Sequence, residues 1–207
     1  MQLTKGKLAI ILSKLKVFES PKAESEQYAI PSQIAATLLW DMYMNGDIDG
    51  KTVADFGCGT GILGLGASLL GAKNVFLIDF DQDALDIAKE NKKYLEDEFD
   101  VELNVVFEHK DITEFNKKVD VAIQNPPFGV QKEHADKEFL QKAFSITDKV
   151  YSMHKAESEK FLSAFARDNG FKITNNWLFD WPLKSTMKHH TQKKHTFKVG
   201  AWRFEKE

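Results

Sequence analysis

From Thr52 onward, short runs of β-branched and aromatic residues alternate with longer amphipathic stretches. Thr52–Phe56, Asn74–Asp79, Asn104–Glu108, Asp120–Gln124 and, with a weaker pattern, Lys149–His154 are predicted strands. The uninterrupted apolar run Val75–Ile78 suits a parallel sheet buried on both faces. Between the strands, Ile62–Leu70, Gln82–Glu96, Lys137–Ile146 and Glu157–Asn169 carry helical periodicity. The tail breaks the alternation. "FKITNNWLFDWPL" and "HTFKVGAWRF" are successive strand candidates with no helix between them, so an antiparallel hairpin-like pair is predicted. The fold class is therefore α/β: a doubly wound, mostly parallel seven-stranded sheet with an antiparallel C-terminal strand pair.

Upstream, "TKGKLAIILSKLKVF" (4–18) places Leu8, Ile11, Leu12, Leu15 and Phe18 on one helical face, with Lys5, Lys7, Lys14 and Lys16 largely off it. This pattern predicts an amphipathic helix packed on the main domain. The loop "ESPKAESEQYAI" follows, Pro31 suits the first turn of a helix reaching about Tyr43, and "NGDIDGK" is turn chemistry. Residues 1–50 are thus expected to form a helical extension, and 51–207 the main domain.

Composition narrows the class only moderately. The 207 residues are 43% hydrophobic and 29% charged, ordinary for a globular chain with a sizeable core. No apolar run approaches the roughly 20 residues needed to cross a bilayer, and no signal-peptide pattern opens the chain. The single cysteine, Cys58, cannot form an internal disulfide, which fits a reducing compartment, so a cytoplasmic protein is expected. A net charge of −3 excludes a uniformly basic surface, so any nucleic-acid contact must be a local patch.

The first candidate chemistry is Asp55-Phe56-Gly57-Cys58-Gly59-Thr60-Gly61, directly after the first strand. Glycines there allow a tight turn and a close backbone approach to a ligand, and the next helix offers unpaired N–H groups. Asp79 ends the second strand where a carboxylate could accept both hydroxyls of a ribose. Gly59, Gly61 and Gly64 also satisfy the nicotinamide-type G-x-G-x-x-G pattern. That reading needs more chain for a substrate domain than remains here. The register Asp-x-Gly-x-Gly-x-Gly resembles more closely the first motif of class I S-adenosyl-L-methionine-dependent methyltransferases. In such enzymes the residues after the third strand, here Asp111 and Ile112, hold the cofactor adenine, although an acid at that place can equally be a helix cap.

The second is Asn125-Pro126-Pro127-Phe128 at the end of the fourth strand. The prolines stop the sheet, because neither has an N–H to donate and each fixes φ. An amine conjugated to an aromatic ring is a poor nucleophile. Hydrogen bonds accepted from its two hydrogens draw the nitrogen toward tetrahedral geometry. The Asn125 side-chain oxygen and the Pro126 carbonyl are two such acceptors on a turn that Pro127 stiffens, and Phe128 offers a stacking face for a flipped base. No base is placed by sequence to make Cys58 a nucleophile.

"SEQYAIPSQIAATLLW", "VADFGCGTGILGLGASLLGA", "IDFDQDAL", "NPPFG" and "VYSMHK" together resemble the methyltransferase-like 5 family of ribosomal-RNA adenine-N6 methyltransferases over nearly the whole chain. The resemblance implies a Rossmann-like class I methyltransferase domain using S-adenosyl-L-methionine. It further implies that the segment with Gln27 and Tyr28 covers the cofactor. The implied cofactor site is Gln27, Tyr28, Asp55, Gly57, Gly59, Thr60, Ile62, Asp79, Asp111, Ile112 and Asn125. Ile30 and Thr60 depart from the threonine and cysteine seen in family members. A small zinc-binding activator protein is the implied partner, pairing with the edge of the sheet at the third strand. RNA would meet a basic strip containing Lys184, Lys188, Lys193, Lys194 and Arg203, with no acid between Lys184 and Arg203. His189, His190 and His195 lie in that strip without a cysteine or carboxylate to suggest a metal site. Three rival readings are a glutamine-amide methyltransferase of a release factor, a DNA adenine methyltransferase and a binding subunit without turnover. His154 matches the family's His-Lys pair and is equally compatible with a satisfied buried histidine.

Overall fold

The computed structural model describes residues 3–18, 29–127, 135–182 and 196–207. The elements run α1 (Lys5–Leu12), α2 (Ser32–Met44), β1 (Thr52–Phe56), α3 (Ile62–Leu69), β2 (Asn74–Asp79), α4 (Gln82–Phe99), β3 (Val105–His109), β4 (Val121–Gln124), α5 (Ala135–Ile146), β5 (Lys149–Lys155), α6 (Glu159–Asp168), β6 (Phe171–Pro182) and β7 (Thr196–Lys206). One sheet takes them in the order β3-β2-β1-β4-β5-β7-β6. The first five strands are parallel neighbours, and β7 enters antiparallel between β5 and β6. The α/β expectation with an antiparallel C-terminal pair holds.

Both faces of the sheet are covered, which is why its central strands read as continuous apolar runs. Side chains of α1, α2 and α3 share one buried cluster with Val53, Val75 and Ile123. On the other face, Leu140 and Ala143 of α5 and Leu162 of α6 pack with Ala54, Ala122 and Val150. The helices pair with their strands by size: a Cβ on Gly64 of α3 would sit 2.2 Å from Leu77 Cδ2. A side chain there would force Leu77 to move.

The first helix is shorter than its hydrophobic stripe predicts. It stops at Leu12, where the Ser13 hydroxyl donates to the Ile10 carbonyl (2.7 Å). Beyond it, Asn91 of α4 accepts the Lys16 N–H (2.7 Å) and donates to the Lys16 carbonyl (3.0 Å). A tertiary partner thus captures backbone groups that another helical turn would have used. In contrast α4 outruns its predicted end, because Lys92–Glu96 and Lys93–Asp97 pairs brace the last turn until Asp100 adopts φ 51°. The stretch from Glu157 begins as a 3-10 turn, Ala156–Ser158, before α6.

A buried carboxylate closes the structure from end to end. Asp47, fully buried between α2 and β1, accepts from Lys149 Nζ (2.5 Å), the Tyr151 hydroxyl (2.7 Å) and Arg203 Nε and Nη2 (3.0 and 2.9 Å). Burial pushes the Asp47 carboxyl up, but these three donors outweigh it and hold its pKa below the ordinary value. Asp47 therefore contributes stability that is present above the unfolded carboxylate pKa and lost as the pH falls through its depressed folded value. Replacing Asp47 by Ala is expected to cost about 3 kcal/mol, the low end for breaking a buried ion pair, since Glu205 still reaches Arg203 (2.7 Å). Urea unfolding measures it. A loss of less than about 1 kcal/mol would mean that the network behaves as a solvated surface pair.

Candidate active site

The carboxyl ends of β1, β2 and β4 are neighbours in the sheet, so the turns that follow them converge on one edge. After β1 the chain passes through Gly57, Gly59 and Gly61 with φ of 62°, 54° and 85°, a conformation that side chains disfavour. The Gly57 and Cys58 N–H groups donate to the Ile78 carbonyl (2.9 and 3.1 Å), which seats the loop against β2. Aromatic rings border it: a Cβ on Gly59 would lie 3.2 Å from Phe18 Cζ, and one on Gly57 3.0 Å from Phe139 Cε1. Asn91 Nδ2 fixes the Thr60 carbonyl (2.9 Å). Asn91 and Phe18 were not among the predicted site residues. Only a polar residue on the buried face of α4 hinted at the first.

Two buried carboxylates hold this loop and the first turn of the helix after it. Asp55, at 1% exposure, accepts the Gly64 N–H at 2.8 Å. Asp79 accepts the Gly59 N–H on Oδ2 (2.8 Å) and the Asp81 N–H on Oδ1 (2.9 Å). A carboxylate has about four acceptor positions, so Asp79 can shape the loop and still take further donors. Burial pushes Asp55 up to about 8, opposed by the Gly64 N–H and aided by the Asp79 charge. Burial also raises Asp79, against the pull of the Asp81 and Gly59 N–H groups.

The remaining predicted residues fall unevenly. Ile62 opens α3. Asp111 caps the 3-10 turn Ile112–Glu114, its Oδ1 accepting from Thr113 N and Oγ1 (2.8 and 2.6 Å), while Ile112 is buried in the core beside Phe115. Asn125 follows β4 directly, and its Oδ1 is buried with no hydrogen-bond partner among the described residues. Pro126 is buried and Pro127 partly exposed. Gln27, Tyr28, Phe128, Lys184, Lys188, Lys193, Lys194 and the three strip histidines lie outside the described residues. Arg203 must be corrected: its guanidinium is bound by Asp47, Thr174 and Glu205 with only 14% of the side chain exposed, so it is structural rather than a free phosphate ligand. Cys58 is buried, and burial raises its thiol well above the ordinary value, as suits a packing residue. Phe80, missed in the sequence, is 62% exposed between Asp79 and Asp81, and its carbonyl contacts His109 Nε2 (2.9 Å). An aromatic at the carboxyl edge, where apolar residues should be hidden, was the available signal.

Among known structures, a magnesium protoporphyrin IX methyltransferase of Synechocystis, solved with S-adenosylmethionine bound, superposes with TM-score 0.64 at 16% identity, covering 84% of this chain and 79% of that one. That likeness shows a Rossmann-like fold, with the glycine loop and the buried carboxylates at the ends of its first two strands. A Pyrococcus horikoshii protein described as a candidate RNA methyltransferase superposes with TM-score 0.88 at 42% identity, covering 98% of both chains. The sequence profile of the ribosomal protein L11 methyltransferases (PrmA) matches residues 37–126. The rRNA N(6)-adenosine-methyltransferase METTL5 of Danio rerio is 34% identical over 93% of this chain and 94% of its own. The chain belongs to the METTL5 family.

The raised Asp55 pKa has a definite consequence for stability. The folded chain keeps a proton that an unfolded Asp, with a pKa of ~3.9, would release. Its stabilising contribution is therefore complete below roughly pH 4 and is lost as the pH rises through about 8. Asp55→Asn, which retains an oxygen for the Gly64 N–H, should gain stability relative to the parent chain as the pH is raised from roughly 5 to 8.5. Urea midpoints at several pH values test this. A constant difference would mean that Asp55 titrates normally.

Proposed function

We propose that this chain transfers a methyl group from S-adenosyl-L-methionine to the N6 amine of an adenosine in RNA, with ribosomal RNA as the substrate. The observation that carries the reading is the buried Asn125 Oδ1, an acceptor without a donor among the described residues. Burying such an oxygen unpaired costs about 1–3 kcal/mol, a cost that substrate N–H groups would offset. Asn125 and the Pro126 carbonyl would accept the two amino hydrogens and draw the nitrogen lone pair out of conjugation. The loss of one of these hydrogens to water after transfer needs no strong base, because the alkylated nitrogen is acidic. Support comes also from relatives named as rRNA N6-adenosine methyltransferases in Danio rerio and Drosophila melanogaster.

S-Adenosyl-L-methionine, when bound, supplies an electrophilic methyl on a sulfonium. Fit to this chain rests on the glycine loop, whose left-handed residues bring backbone close to a ligand, and on Asp79, which keeps acceptor capacity for ribose hydroxyls. Phe80 would lie along the adenine, and Gln27 and Tyr28 would cover the group. Phe128 would stack the target base.

We also assign the strip with Lys184, Lys188, Lys193 and Lys194 to RNA phosphates, and a small zinc-binding activator to the β3 edge, where unpaired backbone can accept another strand. The partner assignment fails if the purified chain alone is fully active.

Asn125→Ala should lose turnover far more than cofactor affinity, because its side-chain acceptor serves the amine even though the residue borders the implied cofactor site. The assay is labelled cofactor with unmodified transcribed ribosomal RNA, followed by nucleoside analysis. Methylglutamine in a release factor without N6-methyladenosine in RNA would overturn the reading, as would a complete lack of turnover by the parent chain with its partner present. Neutralising Lys193 and Lys194 together should leave cofactor affinity unchanged and make the slope of log RNA affinity against log salt shallower by up to about 1.4. An unchanged slope removes the strip from the RNA site.

A further inference from the structure

Gln124, Ser152 and His154 form a polar chain inside a face otherwise lined by Ala122, Val150 and Leu140. Gln124 and Ser152 are fully buried and His154 is 1% exposed. Gln124 Nε2 donates to Ser152 Oγ (2.9 Å), Ser152 Oγ meets His154 Nε2 (2.7 Å), and His154 Nδ1 faces Asp136 Oδ2 at 3.7 Å. Burial lowers the His154 pKa, against the Asp136 carboxylate that raises it. With a neutral ring, the donors order themselves: the Ser152 hydroxyl accepts from Gln124 and gives its hydrogen to Nε2, which leaves Nδ1–H directed at Asp136.

The position of this chain matters more than its bonds. Gln124 ends β4 and immediately precedes Asn125, while Asp136 lies in the first turn of α5, so the two residues flank the segment containing Asn-Pro-Pro-Phe on either side. Both stems are tied to β5 at Ser152 and His154, two residues apart on one face of one strand. Gln124 is directly opposite Ser152 in the ladder. Because successive side chains alternate across a strand, holding Gln124 against the α5 face fixes the roll of the strand end and aims Asn125 to the opposite side. Trp202 seals the chain from the flank: its ring is 6.0 Å from His154, folded over Gly200, where a Cβ would meet it at 2.2 Å. Apolar residues would fill this space without the cost of desolvating three polar side chains, so stability alone gives no reason for them.

We propose that Gln124, Ser152 and His154 are positioning residues that staple the two stems of the Asn-Pro-Pro-Phe segment to β5 and so set the aim of Asn125 and Pro126 at the target amine. This rests on the methyl-transfer reading above. Ser152→Ala and His154→Gln should each lower kcat on the order of tenfold, since misplacing a catalytic group by about 1 Å can cost up to a hundredfold. Cofactor affinity by calorimetry should stay within about twofold, because the staple does not touch the glycine loop. The double variant should be no slower than the slower single variant, as expected of residues acting as one unit, and Ser152→Thr, which keeps the hydroxyl, should recover most of the rate.

Asn125→Ala is measured beside them on the same transcribed ribosomal RNA. If it is inactive while Ser152→Ala turns over like the parent chain, the staple is wrong and the methyl-transfer reading stands. If Asn125→Ala retains full activity, the methyl-transfer reading fails first. A parallel fall of kcat, cofactor affinity and melting temperature would reduce the staple to ordinary core packing and overturn the proposal. Should Ser152→Ala not fold, His154→Gln carries the same outcomes.

Discussion

Two buried carboxylates at the ends of adjacent parallel strands organise this protein. Asp55 and Asp79 each accept a backbone N–H of the glycine loop region, from Gly64 and Gly59. Parallel strands deliver their carboxyl ends to the same edge, so the two acids meet the loop and the start of the following helix together. Burial raises both pKa values, helped at Asp55 by the Asp79 charge and at Asp79 by that of Asp81. The loop in turn fixes Thr60 to Asn91, which holds the chain after α1. One arrangement of hydrogen bonds thereby reaches from the sheet to the segment after α1.

Asp47 plays the corresponding part at the opposite end of the strands. It joins the turn before β1 to Lys149 and Tyr151 on β5 and Arg203 on β7. These partners are distant in sequence, and β7 must insert between β5 and β6 before Arg203 can arrive. A buried ion cluster of this kind contributes little net stability compared with apolar packing. What it gives is registry, since Arg203 has satisfied acceptors only when β7 lies in its observed alignment with β5.

The sequence was informative where local chemistry and tertiary structure agree. β1 and β2 have the predicted bounds because apolar runs between turn residues have no competing partner. The glycine loop was visible because left-handed backbone needs glycine. The end of α1 was not, since Asn91 takes the Lys16 backbone from 75 residues away. Arg203 illustrates the opposite error. In a strip without acids it reads as a phosphate ligand, yet its carboxylates, Asp47 and Glu205, are placed by folding and lie outside that stretch. The Gln124–Ser152–His154 chain was equally hidden, because alternate positions on neighbouring strands leave no periodic signal of their own.

Unpaired acceptors at the end of β4 separate the parts of the fold that serve stability from those that serve chemistry. The backbone there is stopped by two prolines, which donate no hydrogen bonds and leave neighbouring acceptors without partners from their own turn. Elsewhere buried carboxylates have donors, several at Asp47 and Asp79 and the Gly64 N–H at Asp55. Gln124 Oε1 and Asn125 Oδ1 are unpaired buried acceptors among the described residues, and they are consecutive in sequence. The Gln124 amide is held through its nitrogen, which leaves its oxygen as a by-product of anchoring. Among the described residues Asn125 has no such anchor for its buried oxygen. In the proposed reaction an exocyclic amine with two hydrogens would satisfy Asn125 and the Pro126 carbonyl together, offsetting the cost of an acceptor that is unpaired among the described residues.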